Sequence, residues 1–261
     1  MMIRSDLVTR QDMNGIVRLT LNRPEARNAL SLEMMRQLMA QLESMAHDEK
    51  VRVVILSGNG AAFCAGHDLK ELRADPTPVF YGKVFALAAR IMLAITDFPR
   101  PVIAEVHGIA TAAGCQLVAT CDLAIAADDA RFATPGVNIG LFCSTPMVAL
   151  SRAVSRKHAM EMLLTGDMVG AEEAQQMGLI NRHVPAAQLA DATMGLARKI
   201  AAKSVYTVKV GKGAFYRQID MDLKHAYDYA SHIMTENMQA IDAHEGIDAF
   251  LNKRHPVWQD C

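Results

Sequence analysis

From Gly15 to Leu21 the chain reads GIVRLTL, with Val17, Leu19 and Leu21 at alternate positions. That period of two predicts a strand, which stops at the turn-forming Asn22-Arg23-Pro24. A helical period follows. Leu32, Met35, Leu38, Met39, Leu42 and Met45 recur at i, i+3, i+6, i+7, i+10 and i+13 behind Ser31, a residue suited to cap a helix start. A methionine stripe at this spacing is a core face. Val51 to Ser57 (VRVVILS) is almost continuously apolar, the mark of a strand covered on both sides, and it ends at Gly58-Asn59-Gly60. A second round comes next: a helix from about Val79 to Ile95, a strand from Val102 to Val106, a small-residue turn after Gly108, a short helix from Cys115 to Thr120 and a strand near Leu123 to Ala126. From Arg156 the pattern is helical except for a strand-like piece at Leu179 to Val184. Beyond residue 200 the spacing of Met221, Leu223, Tyr227 and Tyr229 predicts an all-helical appendage. Strands alternating with helices predict an α/β fold with mostly parallel pairing, divided into a core over 1–200 and a helical region over 201–261.

Composition narrows the function classes. The chain of 261 residues is 51% hydrophobic and 21% charged, and no uninterrupted apolar stretch is expected to approach the roughly 20 residues that cross a bilayer. With 27 Lys+Arg against 28 Asp+Glu, the net charge of -1 offers no global field for a phosphate backbone. Neither a nucleic acid nor a membrane is expected as partner. The five cysteines, Cys64, Cys115, Cys121, Cys143 and Cys261, are odd in number and form no CxxC, so free thiols in a reducing compartment are expected. The opening MMIRSDLVTRQDMNG has no secretory apolar core, and its two aspartates argue against a transit peptide. Cytoplasmic residence is the expectation.

Two glycine- and alanine-rich turns follow buried strands: FCAGHD at Phe63 to Asp68 and GIATAAGC at Gly108 to Cys115. Small side chains there let a ligand reach the main chain, whose N–H groups then donate to it. At the second turn a helix begins, and its dipole adds positive potential for a developing oxyanion. The same small residues would also serve close packing of strand on helix.

The order and spacing of NRPEARNAL (from Asn22), FCAGHDLKEL, PVIAEVHGIATAAGCQLVATCDLAIA, FATPGVNIGL and LTGDMVGAEEAQQMGLINRHV resembles the enoyl-CoA hydratase/isomerase (crotonase) superfamily over nearly the whole chain. Within it, GLFCSTP and the ending RHPVW are most similar to the group called enoyl-CoA hydratase domain-containing protein 3. The resemblance implies a crotonase-like spiral of repeated ββα units, a C-terminal helical trimerisation region, and a homotrimer or dimer of trimers. It implies no permanent cofactor; a coenzyme A thioester is substrate or ligand. Family oxyanion donors fall on the main-chain amides of His67 and Ala113. The segment Glu25, Ala26, Arg27 aligns with coenzyme A contacts, and Ala65, Asp68, Leu69 and Lys70 with the adenine pocket. Ile109, Pro135 and Leu141 align with further lining positions. Lys70, Arg27 and, from a neighbouring subunit, Lys253 are implied phosphate contacts, with Phe250 against the ligand.

The two glutamates with which the family's hydratases add water are replaced here by Gln116 and Gly136. An amide does not exchange a proton at neutral pH and glycine has no side chain, so the general acid/base pair is missing. Efficient hydration is therefore not expected. Other acyl-CoA reactions stay open: isomerisation, decarboxylation, or thioester hydrolysis with Cys143 as nucleophile, His67 as its partner and Ser144 beside them. A non-catalytic acyl-CoA sensor or partner subunit also stays open. Cys64-x-x-His67 has the spacing of half a metal site but no second pair, so no metal is expected. The sequence holds no P-loop, G-x-S-x-G or H-E-x-x-H. His225 and His232 lie on one predicted helix, and Asp122 is read as structural.

Overall fold

A computed structural model describes residues 6–261. Of the opening segment read for a leader, residues 1–5 lie outside the described residues. The elements run β1 Val8–Met13, β2 Ile16–Leu21, α1 Leu32–Ala46, β3 Val53–Gly58, α2 Leu69–Ala74, α3 Pro78–Asp97, β4 Val102–Val106, β5 Ile109–Thr111, α4 Ala113–Thr120, β6 Leu123–Ala127 and β7 Arg131–Ala133. Then come α5 Pro146–Ala153, α6 Arg156–Thr165, β8 Val169–Gly170, α7 Ala171–Met177, β9 Arg182–Val184, α8 Leu189–Ala201, α9 Val205–Gln218, α10 Leu223–Asn237 and α11 Ile241–Leu251. Met221 falls just before α10 rather than within it.

One sheet has the order β1-β2-β3-β4-β6-β9, antiparallel at β1-β2 and parallel thereafter. A second holds β5, β7 and β8. Between them lies the repeat. Each turn of chain lays a long strand in the first sheet and then a short extended piece beside it: β3 then Cys64, β4 then β5, β6 then β7. The short pieces pair in turn, through bridges Leu30 to His67 and Cys64 to Ala110 and the β5-β7 pairing. These bridges bring FCAGHD and GIATAAGC side by side.

The period-two pattern sorts the strand side chains. Val17, Leu19, Leu21, Val54, Leu56, Ala104 and Val106 face the main core with α1, α3 and α4, while Ile16, Val53, Ile55 and Ile103 face the opposite side. There α8 covers them with Met194, Leu196 and Ala197. VRVVILS is continuously apolar because both its faces are covered. In α1, Ser31 accepts the N–H of Met34, and Leu32, Met34, Met35, Leu38, Leu42 and Met45 are buried. Met39 sits at the edge of this stripe and stays half-buried. Helix α3, interrupted by Lys83 and Arg90, is among the described residues the one helix long and apolar enough on average to cross a membrane. Its Val84, Ala88, Ile91, Met92 and Ile95 pack into the core instead.

Beyond α8 the chain is helical and returns to the core through polar ties. Lys212 of α9 donates to the carbonyls of Ile95 and Arg100 at 2.9 and 3.0 Å and to Asp122 Oδ2 at 2.7 Å. Asp122 also accepts the Val102 N–H at 2.7 Å, which gives it the structural role expected. The RHPVW ending is folded back, with Arg254 on Glu245 and Trp258 Nε1 on the Ala202 carbonyl. His225 pairs with Asp222, which caps α10, and His232 with Glu236 one turn on.

Candidate functional site

The two turns are locked together by main-chain contacts. Cys64 N–H donates to the Ile109 carbonyl at 3.2 Å, Thr111 N–H to the Cys64 carbonyl at 2.9 Å, and the Thr111 hydroxyl to the Ala65 carbonyl at 3.1 Å. Glycine is required at the contact. A Cβ on Gly114 would lie 2.0 Å from the Cys64 carbonyl oxygen, and one on Gly66, whose φ is +95°, would lie 2.9 Å from the Ala112 Cβ and 3.4 Å from the Ala113 nitrogen.

This packing presents two free amides. Leu30 donates to the Gly66 carbonyl and accepts from Asp68 N–H, so the bridge is made by the residues flanking His67 and its own amide turns away. Ala113 opens α4, where a helix N–H has no partner within the helix. No carbonyl or side chain in the described residues accepts from either amide. Ala112, within the second turn and just before α4, is held at φ 50°, ψ −117°, a conformation that L side chains rarely adopt.

Around the amides the expected residues fall into three groups. Ala65, His67, Ile109, Ala113 and Gln116 belong to the two turns and the first coil of α4. The His67 ring packs edge-on against Phe85 of α3, centroids 5.3 Å apart, and burial pushes its pKa down to about 4. Neither ring nitrogen has a hydrogen-bond partner among the described residues, so the expected pairing of His67 with Cys143 is not formed. Pro135, Gly136, Leu141, Cys143 and Ser144 form a second group on the segment between β7 and α5. Burial raises the Cys143 thiol above its ordinary pKa, which disfavours the thiolate a nucleophile needs. Ser144 is exposed, its hydroxyl on the Phe142 carbonyl at 3.3 Å.

The third group lies further out. Glu25 and Ala26 form a 3-10 turn and Arg27 follows in a left-handed conformation, its carbonyl accepting Ala65 N–H at 3.0 Å. Arg27, Leu69 and Lys70 are exposed. The Asp68 carboxylate is occupied within the chain: it caps α2 through the amides of Lys70 and Glu71 and meets Arg23 at 2.6 Å. Phe250 and Lys253 are exposed at the end of α11, which packs on α9, so within one chain they are not brought to the turns.

The Gly136 backbone explains why no second acid is present. A Cβ there would stand 2.6 Å from the Leu141 carbonyl oxygen and 2.9 Å from Cys143 Sγ. Cys143 and the Leu141 carbonyl fill the space a side chain would enter. Gln116 keeps the first position, buried on α4, with its Oε1 unpartnered.

Sequence reasoning passed over Asn28 and Phe85. The fully buried Asn28 side chain accepts Arg23 N–H and donates to the Asn59 and Ala62 carbonyls, tying NRPEARNAL to the connection between β3 and FCAGHD. The segment NRPEARNAL carries no hydrophobic period that would single out Asn28. Phe85 carries no local signal, because its role depends on how α3 crosses the turns. Among the described residues no three His, Cys, Asp or Glu side chains gather as a metal would require.

A family model described as Enoyl-CoA hydratase/isomerase matches residues 11–261. The chain belongs to this family. It is 47% identical over 252 residues to the mouse (Mus musculus) enoyl-CoA hydratase domain-containing protein 3, mitochondrial, covering 97% of this chain and 84% of that one. Crystal structures of an enoyl-CoA hydratase from Mycobacterium smegmatis (54% identity, TM-score 0.95, 97% and 98% covered) and of human enoyl-CoA hydratase domain-containing protein 3 (48%, 0.94, 97% and 100%) share its fold. The α/β spiral of the crotonase fold, with its C-terminal helices, is thereby established for this family member. The cytoplasmic expectation is corrected: the mouse relative and its rat and human counterparts are named mitochondrial.

Proposed function

We propose that this chain binds acyl-CoA thioesters with the carbonyl oxygen held by the His67 and Ala113 amides, and that it does not carry out two-acid hydration. Two main-chain donors at the start of a helix suit an oxygen that gains negative charge, and removing one such donor typically costs about 10²–10³ in rate. The observation that carries the second half is the filled space at Gly136, which leaves Cys143 Sγ and a carbonyl where an acid would have to enter. Gln116 offers hydrogen bonds but no exchangeable proton at neutral pH. Arg27 and Lys70, exposed and without an ion-pair partner among the described residues beside the Ala65 turn, are the cations for the coenzyme A phosphates, with Glu25, Ala26 and Leu69 alongside. Exposed apolar side chains on α9 to α11, including Phe215, Ile219, Leu223, Tyr227 and Phe250, support reading residues 201–261 as a self-association region, in a trimer or dimer of trimers that brings Phe250 and Lys253 to a neighbour's site.

A second reading, hydration of an enoyl-CoA, is favoured by the 54% identical Mycobacterium smegmatis protein, which is named a hydratase. One assay separates the two. With crotonyl-CoA the protein is expected to bind and to hydrate at least about 10²-fold more slowly than a two-acid hydratase, since each missing general acid/base group costs roughly 10²–10⁴-fold. Gln116→Glu should recover part of that deficit. Gly136→Glu should unfold or recover nothing, because no room exists for it. Ordinary hydratase rates in the unaltered chain overturn the reading, and absence of binding to any CoA thioester overturns the amide-pair assignment.

A further inference from the structure

Asn28 is fully buried in the segment that joins the expected coenzyme A contacts to the turn carrying the His67 amide. Its oxygen and both hydrogens of its amide nitrogen are engaged: Oδ1 accepts the Arg23 N–H at 2.8 Å, and Nδ2 donates to the Asn59 carbonyl at 2.9 Å and the Ala62 carbonyl at 2.7 Å. Its own N–H donates to the Arg23 carbonyl at 3.0 Å, which closes the loop that holds Glu25, Ala26 and Arg27. Pro24 in that loop lies against Gly60, where an added Cβ would come 2.5 Å from the Pro24 Cβ. The loop is thus seated on the connection between β3 and FCAGHD.

The same segment also meets the amide-bearing turn. The Arg27 carbonyl accepts the Ala65 N–H at 3.0 Å, Leu30 N–H donates to the Gly66 carbonyl at 2.7 Å, and the Leu30 carbonyl accepts the Asp68 N–H at 3.2 Å. These bonds fix the residues on both sides of His67, and with them the direction of its amide. Arg27 and Asn28 reach this alignment at φ 50° and 54°, two successive left-handed residues without a glycine. Asparagine tolerates that region better than most side chains. Aspartate would bring no donor to the two carbonyls, serine only one, and glycine none. Asparagine joins a left-handed backbone to two donors and an acceptor on a short stem.

We infer that Asn28 is a positioning residue for both ends of the ligand: by seating residues 23–30 against the 59–62 connection and the FCAGHD turn, it sets the coenzyme A segment and the His67 amide in one geometry. The inference rests on the acyl-CoA reading above and adds the side chain on which its two subsites depend. It is tested on the full-length chain, unaltered and as Asn28→Gly, which keeps the left-handed backbone open and removes only the side chain's bonds. Butyryl-CoA labelled with carbon-13 at the thioester carbonyl is followed by infrared spectroscopy, and affinities by calorimetry, well below the unfolding transition of each protein. In the unaltered chain the bound carbonyl stretch is expected to fall below its solution frequency, because two N–H groups polarise it. In Asn28→Gly that fall should shrink to about half or less, and butyryl-CoA should bind at least about tenfold more weakly, since a small misplacement of an orienting group is costly. Free coenzyme A, which lacks the carbonyl, and butyryl-pantetheine, which lacks the nucleotide, should each bind more weakly as well. A purely structural Asn28 would lower stability and leave the carbonyl frequency and the affinities of the folded variant unchanged; that result overturns the inference, and so does a loss confined to one end. Should Asn28→Gly fail to fold, hydrogen exchange of the unaltered chain decides: butyryl-CoA is expected to slow the Arg23, Leu30 and Ala65 amides at least about tenfold, and unchanged rates overturn the inference. No binding of any of the three ligands by the unaltered chain removes the acyl-CoA reading itself, and the role of Asn28 with it.

Discussion

The anchor of α9 and the pair of turns are both buried polar clusters, yet they are finished to different degrees. At Lys212 all three ammonium hydrogens find acceptors, and the carboxylate they meet takes a main-chain N–H as well. At the turns two amides, an imidazole and a side-chain amide oxygen are left open. A cluster whose purpose is to hold the chain together closes on itself, because every unpaired atom subtracts from stability. On the acyl-CoA reading proposed above, the turns keep valences free for a ligand and draw on the rest of the fold to tolerate them.

The largest effect should come from opening the closed cluster. Lys212→Met leaves the Asp122 carboxylate, at 15% side-chain exposure, without its cation. Breaking a buried pair by removing one partner costs about 3–5 kcal/mol. Urea unfolding of Lys212→Met is therefore expected to show a loss of that order, with protease cleavage appearing first beyond residue 201. A loss under about 1 kcal/mol would mean that the helical region stays docked without this tie.

Closing the open cluster should act in the other direction, and through pH. His67 has its pKa lowered by burial to about 4 in the folded chain, against about 6.5 unfolded. Between those values the unfolded chain binds the extra proton, so stability falls as pH drops from about 6.5 toward 4. At 1.36 kcal/mol per pKa unit the loss reaches at most about 3 kcal/mol. His67→Phe keeps the packing on Phe85 and removes the proton site. Its urea midpoint should vary less between pH 7.5 and pH 5 than that of the unaltered chain; an identical acid slope would place the titrating group elsewhere.

The same contrast explains what the sequence disclosed. The helix and strand periods located α1, β3, β4 and β6 to within a residue or two, because each buries a regular stripe. The turns were visible through their glycines, since Gly66 and Gly114 sit where a Cβ would collide with the facing chain. Strands β5, β7 and β8, two or three residues long, were missed because a period cannot be read from so few positions. Lys212 was equally silent: a lysine between two glycines on an exposed-looking helix gives no hint of carbonyls more than a hundred residues away. The crowding at Gly136 was also hidden, because it arises from a carbonyl five residues on, in a turn whose path the sequence leaves open.

The smallest effect concerns the strain that keeps the amides presented. Ala112 is held between its own N–H, which donates to the Ala133 carbonyl at 2.9 Å, and its carbonyl, which accepts from Gln116. With both ends fixed, the residue stays at φ 50°, ψ −117° despite its Cβ. Such a conformation costs on the order of 1–3 kcal/mol in a non-glycine residue. Ala112→Gly removes that cost but adds about 0.5–1 kcal/mol of backbone entropy to the unfolded chain. The balance favours the variant by about 1 kcal/mol, read as a rise of roughly 2 °C in Tm for a chain of this size. Because Ala112 immediately precedes the Ala113 amide proposed to hold the thioester oxygen, the extra freedom should also loosen thioester binding while the fold gains stability. A variant that loses stability would show that the surrounding contacts had already relieved Ala112, and that the turn is held open by packing alone.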